Sequence, residues 1–235
     1  MLKVELHAHI DADPLDAVPH SARELIDRAS ALGYHALAIT PHNRYFDPAD
    51  DLEYARARGL LLIGGIERTI AHAHVLLVNF PPACADVRTL DDVAALKREW
   101  PNGLVVAPHA CFPTSSALGV KTLDRYAHVF DAVEVNAMFT RQIDFNAAAV
   151  RWAARHGKPL VGDGDVHLLA QLGTTYSLVD AHPEADAICA AIKAGRVRVQ
   201  SEPLSLARAA THFSRMALIG LIGRAQRLLG VRPRP

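Results

Sequence analysis

The chain has 235 residues, half of them apolar, which is material for one large α/β domain with a sizeable core. Its 25 Lys and Arg balance its 25 Asp and Glu, which excludes broad electrostatic attraction to nucleic acid or acidic lipid, so any phosphate must be recognised locally. Cys84, Cys111 and Cys189 form no CxxC pair, which excludes a disulfide framework and a thiolate zinc site.

The N-terminus leads into a strand with no basic-then-apolar leader, and no charge-free apolar stretch reaches about 18 residues. A cytoplasmic protein without a membrane span is expected. The first strand covers Leu2 to His7, followed by a helix from Ser21 to Leu32 that opens on a capping box of Ser21 and Glu24. A strand from Ala36 to Thr40 precedes a helix from Pro48 to Arg58. Further strands are Leu60 to Ile66, His74 to Asn79, Leu104 to Ala107, Ala132 to Val135 and Leu160 to Gly162, with helices at Leu90 to Glu99, Phe145 to His156 and Pro183 to Ala194. This alternation implies a parallel sheet, and the number of strands favours a closed or nearly closed barrel.

From Leu204 onward a helix places Arg208, His212 and Arg215 on one face and Leu206, Ala210 and Phe213 roughly opposite, while Met216 to Gly223 is apolar all round. It is expected to pack on the barrel, with a dimer contact or an interfacial membrane helix as alternatives. Two regions result: a metal-binding barrel over residues 1–200 and a C-terminal helical extension over 201–235.

Polar residues gather where the strands end. His7 and His9 close the first strand, His42 follows ALAIT, Glu67 follows LLLIGGI, His109 follows LVVAP, and Asp165 and His167 follow PLVGDG. In α/β barrels the loops after the strands converge on one rim, so residues remote in sequence would meet there. Two ligands spaced i, i+2 on an extended strand point to the same side, and neutral imidazoles with carboxylates suit zinc, manganese or iron. A multi-metal site is expected.

The segments VELHAH, ALAITPHN, GIE, HVLLVN, VVAPH and GDGDVH, in this order, resemble the motifs of the polymerase and histidinol phosphatase (PHP) family, from the first strand to about Val199. The resemblance implies a distorted, TIM-like (β/α)7 barrel that holds two to three divalent metal ions, Zn, Mn or Fe, and hydrolyses phosphoesters. It implies as ligands His7 and His9, His42, Glu67 as a carboxylate bridging two metals, His74 rather than the nearby His72, His109, and Asp165 with His167. The family's further ligand after HxH falls in DADPLD, where Asp13 is favoured, Asp16 stands close behind and His20 third. Pro41 replaces a common aspartate, which removes a possible acceptor for a histidine without removing a ligand.

Two metals bridged by a carboxylate stand roughly 3.5 to 4 Å apart, a separation at which a shared hydroxide forms near neutral pH and both oxygens of a phosphoryl transfer can be held. No GxSxG nucleophile is present, and Cys111 reads as a small packed residue. Arg44, two residues after His42, is expected to bind phosphate through its forked guanidinium, with Arg141 as the alternative. Glu134 and Asn136 are given structural roles and Asp163 a supporting or turn-forming one. The group that protonates the leaving oxygen is left open between a histidine and a metal-bound water.

The expected activity is hydrolysis of a small phosphate ester, a phosphomonoester first, with no long nucleic acid as partner. A homo-oligomer could form through the C-terminal helix. One alternative is a metal-dependent amidohydrolase, disfavoured because none of the five lysines ends a strand. The other is a metal-supported structural or interaction module.

Overall fold

Residues 1–230 are described in the computed structural model of the chain; residues 231–235, the end of the expected extension, lie outside the described residues. Short apolar runs form nine strands: β1 (Leu2–Glu5), β2 (Ala36–Ile39), β3 (Leu61–Ile70), β4 (Ala73–Val78), β5 (Leu104–Ala107), β6 (Ala132–Asn136), β7 (Leu160–Asp163), β8 (Thr175–Val179) and β9 (Val197–Ser201). They make one sheet in the order β7-β6-β5-β4-β3-β2-β1-β8-β9. Seven helices accompany them: α1 (Ala22–Ala31), α2 (Leu52–Arg56), α3 (Leu90–Glu99), α4 (Gly119–Arg125), α5 (Asn146–His156), α6 (Ala185–Lys193) and α7 (Leu206–Leu228). The expected capping box of Ser21 and Glu24 starts α1. The expected helix from Pro48 is shorter, a 3-10 turn at Ala49–Asp51 followed by α2.

The sheet is nearly closed into a barrel. At its end β1 departs from the regular ladder: the amides of Leu6 and His7 donate to the buried side chains of Asp163 (2.9 Å) and Glu5 (3.2 Å). Past that break the chain pairs in parallel with the segment after β7, through Val166 N–H to His7 O (3.1 Å) and His9 N–H to Val166 O (3.0 Å). Seven strands, β1 to β7, thus form a ring that closes at the rim where His7 and His9 stand. The β8–β9 pair lies along the first half of β1, and the Ser177 hydroxyl joins it to β7 at Gly162.

The ring is not all parallel, as the βαβα order had implied. β4 runs antiparallel to both β3 and β5. The cause is local: Ala71 and His72 both have positive φ, 47° and 79°, forming a two-residue hairpin turn that can only join antiparallel strands. Nothing in IAHA carries the Gly or Asn that announces such a turn. Reversal puts the first residues of β4, His74 among them, at the rim where the other strands end.

Alternation along the strands separates two apolar layers. Val4, Ala36, Ala38, Ile63, Leu76 and Val106 fill the interior, where Ile188 and Ile192 of α6 pack against them. Leu37 and Ile39 face α1, while Val105 and Val133 face α3 and α5. α7 turns Ala209, His212, Ile219 and Gly223 inward and leaves Leu206 and Phe213 exposed. Gly223 is what allows its approach: a Cβ there would sit 2.3 Å from Leu15 O and 3.0 Å from Asp16 Cα. Among the described residues no helix is long and apolar enough to cross a membrane.

Candidate metal centre

Glu67, near the middle of β3, is buried at the centre of the rim, and its two oxygens meet different imidazoles. Oε1 lies 2.7 Å from His74 Nδ1, 3.1 Å from His109 Nε2 and 3.4 Å from His7 Nε2. Oε2 lies 2.9 Å from His42 Nε2 and 3.5 Å from His9 Nε2. Asp165 stands opposite, its Oδ1 3.4 Å from His7 Nε2, 3.5 Å from His9 Nε2 and 3.3 Å from His167 Nδ1. Asp165 and His109 both take positive φ, 47° and 29°, strained backbone of the kind that collects at functional sites.

These residues fit divalent metals on three grounds. Four triads have ligand atoms mutually within 4.8 Å among the described residues: His9, His42, His167; His7, His9, Asp165; His7, Glu67, His109; and His42, Glu67, His74. The buried Nε2 atoms of His7 and His9 have no hydrogen-bond partner, which is costly unless something else satisfies them. Finally, two atoms each about 2.1 Å from one ion stand roughly 3.0 to 3.4 Å apart at octahedral to tetrahedral angles, and seven of the eight nitrogen–oxygen pairs fall within 0.1 Å of that range, from 2.9 to 3.5 Å.

A ring of carboxylates behind the histidines fixes which nitrogen faces inward. His7 Nδ1–H donates to Glu134 Oε2 at 2.8 Å. Asp13 Oδ2 accepts from His9 Nδ1 (2.8 Å), His42 Nδ1 (3.0 Å) and the His42 amide (2.9 Å), while its Oδ1 accepts the amides of Leu15 and Asp16. Such partners orient the ring and raise its basicity as a ligand. Asp13, favoured from the sequence as a ligand, therefore has both oxygens occupied behind two imidazoles. Asp16 is the acid of that loop that lines the pocket, 3.1 Å from His167 Nε2. His20 donates from Nε2 to His9 O and is absent from the four triads.

Arg44 is not brought to the centre. Its guanidinium donates to Ala12 O at 3.3 Å and it lines a separate cavity with Asp47 and Asp51. His72 sits exposed on the β3–β4 turn, which leaves His74 as the histidine of that pair at the rim. Three contributors were not assigned to the site from sequence. Glu134 and Asn136 occupy inward positions of the wholly buried β6, and Asn136 reaches Glu134 (2.6 Å) and Asp165 (3.3 Å). Glu5 satisfies the Gly164 and His7 amides where the ladder breaks. In each case the available signal was a carboxylate or amide inside an otherwise apolar strand.

The charges balance one another. Burial alone would depress His7 and His42, but the carboxylates around them, Asp165 and Glu67 for His7, Glu67 and Asp13 for His42, outweigh it and hold both well above the ordinary imidazole value. His167 is likewise pushed up against burial, to about 10, by Asp16 and Asp165. His9, buried among His167 and His42, is lowered. Glu67 and Asp165 are held well below the carboxylate range by the imidazoles despite burial. Deeper in the barrel, burial and then the Asp163 carboxyl raise Glu5, and burial and then Glu134 raise Asp163 to about 8.

The centre opens into a cavity of about 200 Å³. Its lining includes Glu67, His109, Asp165 and His167, and Phe112, Met138, Phe213 and Met216 also border it, with Thr114, Ser116 and Asn136 as uncharged polar groups; the Phe112 ring lies 6.4 Å from that of His109.

A family model described as PHP-associated matches residues 144–197. Over 102 residues the chain is 32% identical to a DNA polymerase III PolC-type of Streptococcus pyogenes, which covers 43% of this chain but only 7% of that protein. Among solved structures, a two-domain protein from Bacteroides vulgatus ATCC 8482 containing a predicted PHP-like metal-dependent phosphoesterase aligns with TM-score 0.65 and 17% identity, over 92% of this chain and 69% of that one. The lesion-specific endonuclease PfuEndoQ from Pyrococcus furiosus aligns with TM-score 0.55 and 14% identity, over 84% of this chain and 57% of that one. At these identities the structural likeness concerns the fold.

Proposed function

We propose that this chain, which a PHP-associated family model matches over residues 144–197, is a PHP-type metal-dependent phosphoesterase acting on small phosphate esters, phosphomonoesters first. The observation that carries this reading is Glu67, one buried carboxylate whose two oxygens each face a separate set of imidazoles. His42 and His74 with Glu67, His7 and His109 with Glu67, and His7 and His9 with Asp165 would hold two to three divalent ions. Such ions, when bound, supply Lewis acidity toward phosphoryl oxygens and a nucleophile at neutral pH.

The chain's own residues do the rest. Asp13 and Glu134 keep the imidazoles of His9, His42 and His7 in the tautomer that turns Nε2 inward. Thr114, Ser116 and Asn136 offer hydroxyl and amide donors to the non-reacting phosphate oxygens, in place of Arg44. A cavity of about 200 Å³ is of a size to take a small ester.

The test is a screen of phosphomonoesters and phosphodiesters with protein loaded with Mn, Zn or Fe, alongside elemental analysis. Transition metal at two or more equivalents, together with hydrolysis that His9→Ala and Asp165→Ala both abolish, is the expected result. Full activity in either variant would reject the site. Metal binding without hydrolysis across the panel would favour a metal-supported structural module.

A further inference from the structure

The apolar part of the pocket lining has a chemistry of its own. Phe112 follows β5, Met138 follows β6, and Phe213 and Met216 belong to α7, so three separate segments place apolar side chains on one small cavity. They are held there. Met138 packs with Leu204 and Ala209, and Phe112 and Met216 pack against that cluster. Gln171 Nε2 reaches the sulfurs of Met138 (3.8 Å) and Met216 (3.4 Å), and Phe112 lies 5.5 Å from the ring of Phe145. Phe213 remains 51% exposed at the mouth. Among the described residues no lysine or arginine lines this cavity.

From this we infer that the pocket selects esters whose leaving alcohol carries a single apolar ring, seated between Phe112, Phe213 and the two methionines. The inference rests on the phosphoesterase reading of the site and adds its substrate class. Aromatic edges and polarisable thioethers pack well against a flat ring. A polar wall with cations would be needed to balance a second phosphate or a carboxylate on the leaving group, and here the wall is apolar and uncharged. The volume is commensurate with one ring: an enclosed apolar cavity of about 150 Å³ accepts one benzene, and this one, which opens to solvent, measures about 200 Å³.

Benzyl phosphate and ethyl phosphate separate this preference from intrinsic reactivity, because their leaving alcohols have similar basicity. With Mn-loaded full-length protein, kcat/KM for benzyl phosphate is expected to exceed that for ethyl phosphate by about tenfold or more, the difference residing mainly in KM, as burial of one ring would give. The ratio should collapse toward one in Phe213→Ala, whose half-exposed position spares the fold, and in Phe112→Ala. Equal values for the two esters, or a ratio that both variants leave untouched, would overturn the assignment. Calorimetric binding of benzylphosphonate against ethylphosphonate gives a second reading that needs no turnover. If neither ester is hydrolysed the phosphoesterase reading fails, yet tighter binding of benzylphosphonate would still uphold the ring site and equal binding would sink it.

Discussion

At the scale of single residues, the carboxylate that most rewards mutation is Asp13. Both its oxygens are spent on N–H donors from His9, His42 and three backbone amides. In Asp13→Asn the amide NH2 would face the Nδ1–H groups of the histidines, and the cheapest escape is for a ring to move its proton to Nε2, the atom turned toward Glu67. Metal affinity should fall roughly 10- to 100-fold, whereas Asp165→Asn should lose metal outright. Chelator competition distinguishes the two, and an Asp13→Asn affinity equal to wild type would remove the orienting role. His7, His9, His42, Glu67, His109, Asp165 and His167 were legible in the sequence because strand ends converge on a barrel rim. Asp13 and Asp16 were not separable, since an irregular loop has no side-chain period to say which acid faces inward. Glu134 was visible as a polar residue in an apolar strand, but its partner His7 lies 127 positions away in the chain, and one strand alone cannot name it.

At the scale of elements, two departures from the expected barrel shape the site. β4 is reversed by a hairpin whose residues carry no turn signature, and that reversal brings His74 to Glu67. α7 was expected on the barrel, yet the side that packs is the one carrying His212, which periodicity had grouped with Arg208 and Arg215. Small residues decide it: Gly223 lets the helix lie against the loop that holds Asp13 and Asp16, with Ala17 N–H donating to Ile219 O at 3.4 Å, and Ala209 packs with Met138 and Leu204. Gly223→Val would push a side chain into the Leu15 carbonyl, so the helix or the loop must shift. A loss of about 1 to 3 kcal/mol is expected, together with weaker metal binding because the Asp13 loop moves. Thermal melts and metal titration of this variant check both. An unchanged melting temperature would show that α7 does not buttress the loop.

At the scale of the molecule, the centre ties stability to metal and to pH at the seam where the ring closes. In protein stripped with a chelator, His7, His42 and His167 bind protons more tightly folded than unfolded. Their contribution is full below an unfolded value of about 6.5 and is lost as pH rises through the folded values, about 10 for His167. Glu67 and Asp165 act in the opposite sense: they contribute above about pH 4 and lose that contribution as pH falls through their depressed values. Metal must displace the imidazole protons, so its affinity rises with pH over the range in which the stripped protein weakens. Mn at about a thousand times its Kd stabilises by about 4 kcal/mol, or roughly 8 to 16 °C for a chain of this size. The gap in melting temperature between loaded and stripped protein should therefore widen from about pH 6 to about pH 8.5, with protons released into the buffer on titration. A gap that stays constant or narrows, or binding without proton release, would mean that the imidazoles facing Glu67 and Asp165 are not the groups that hold the metal.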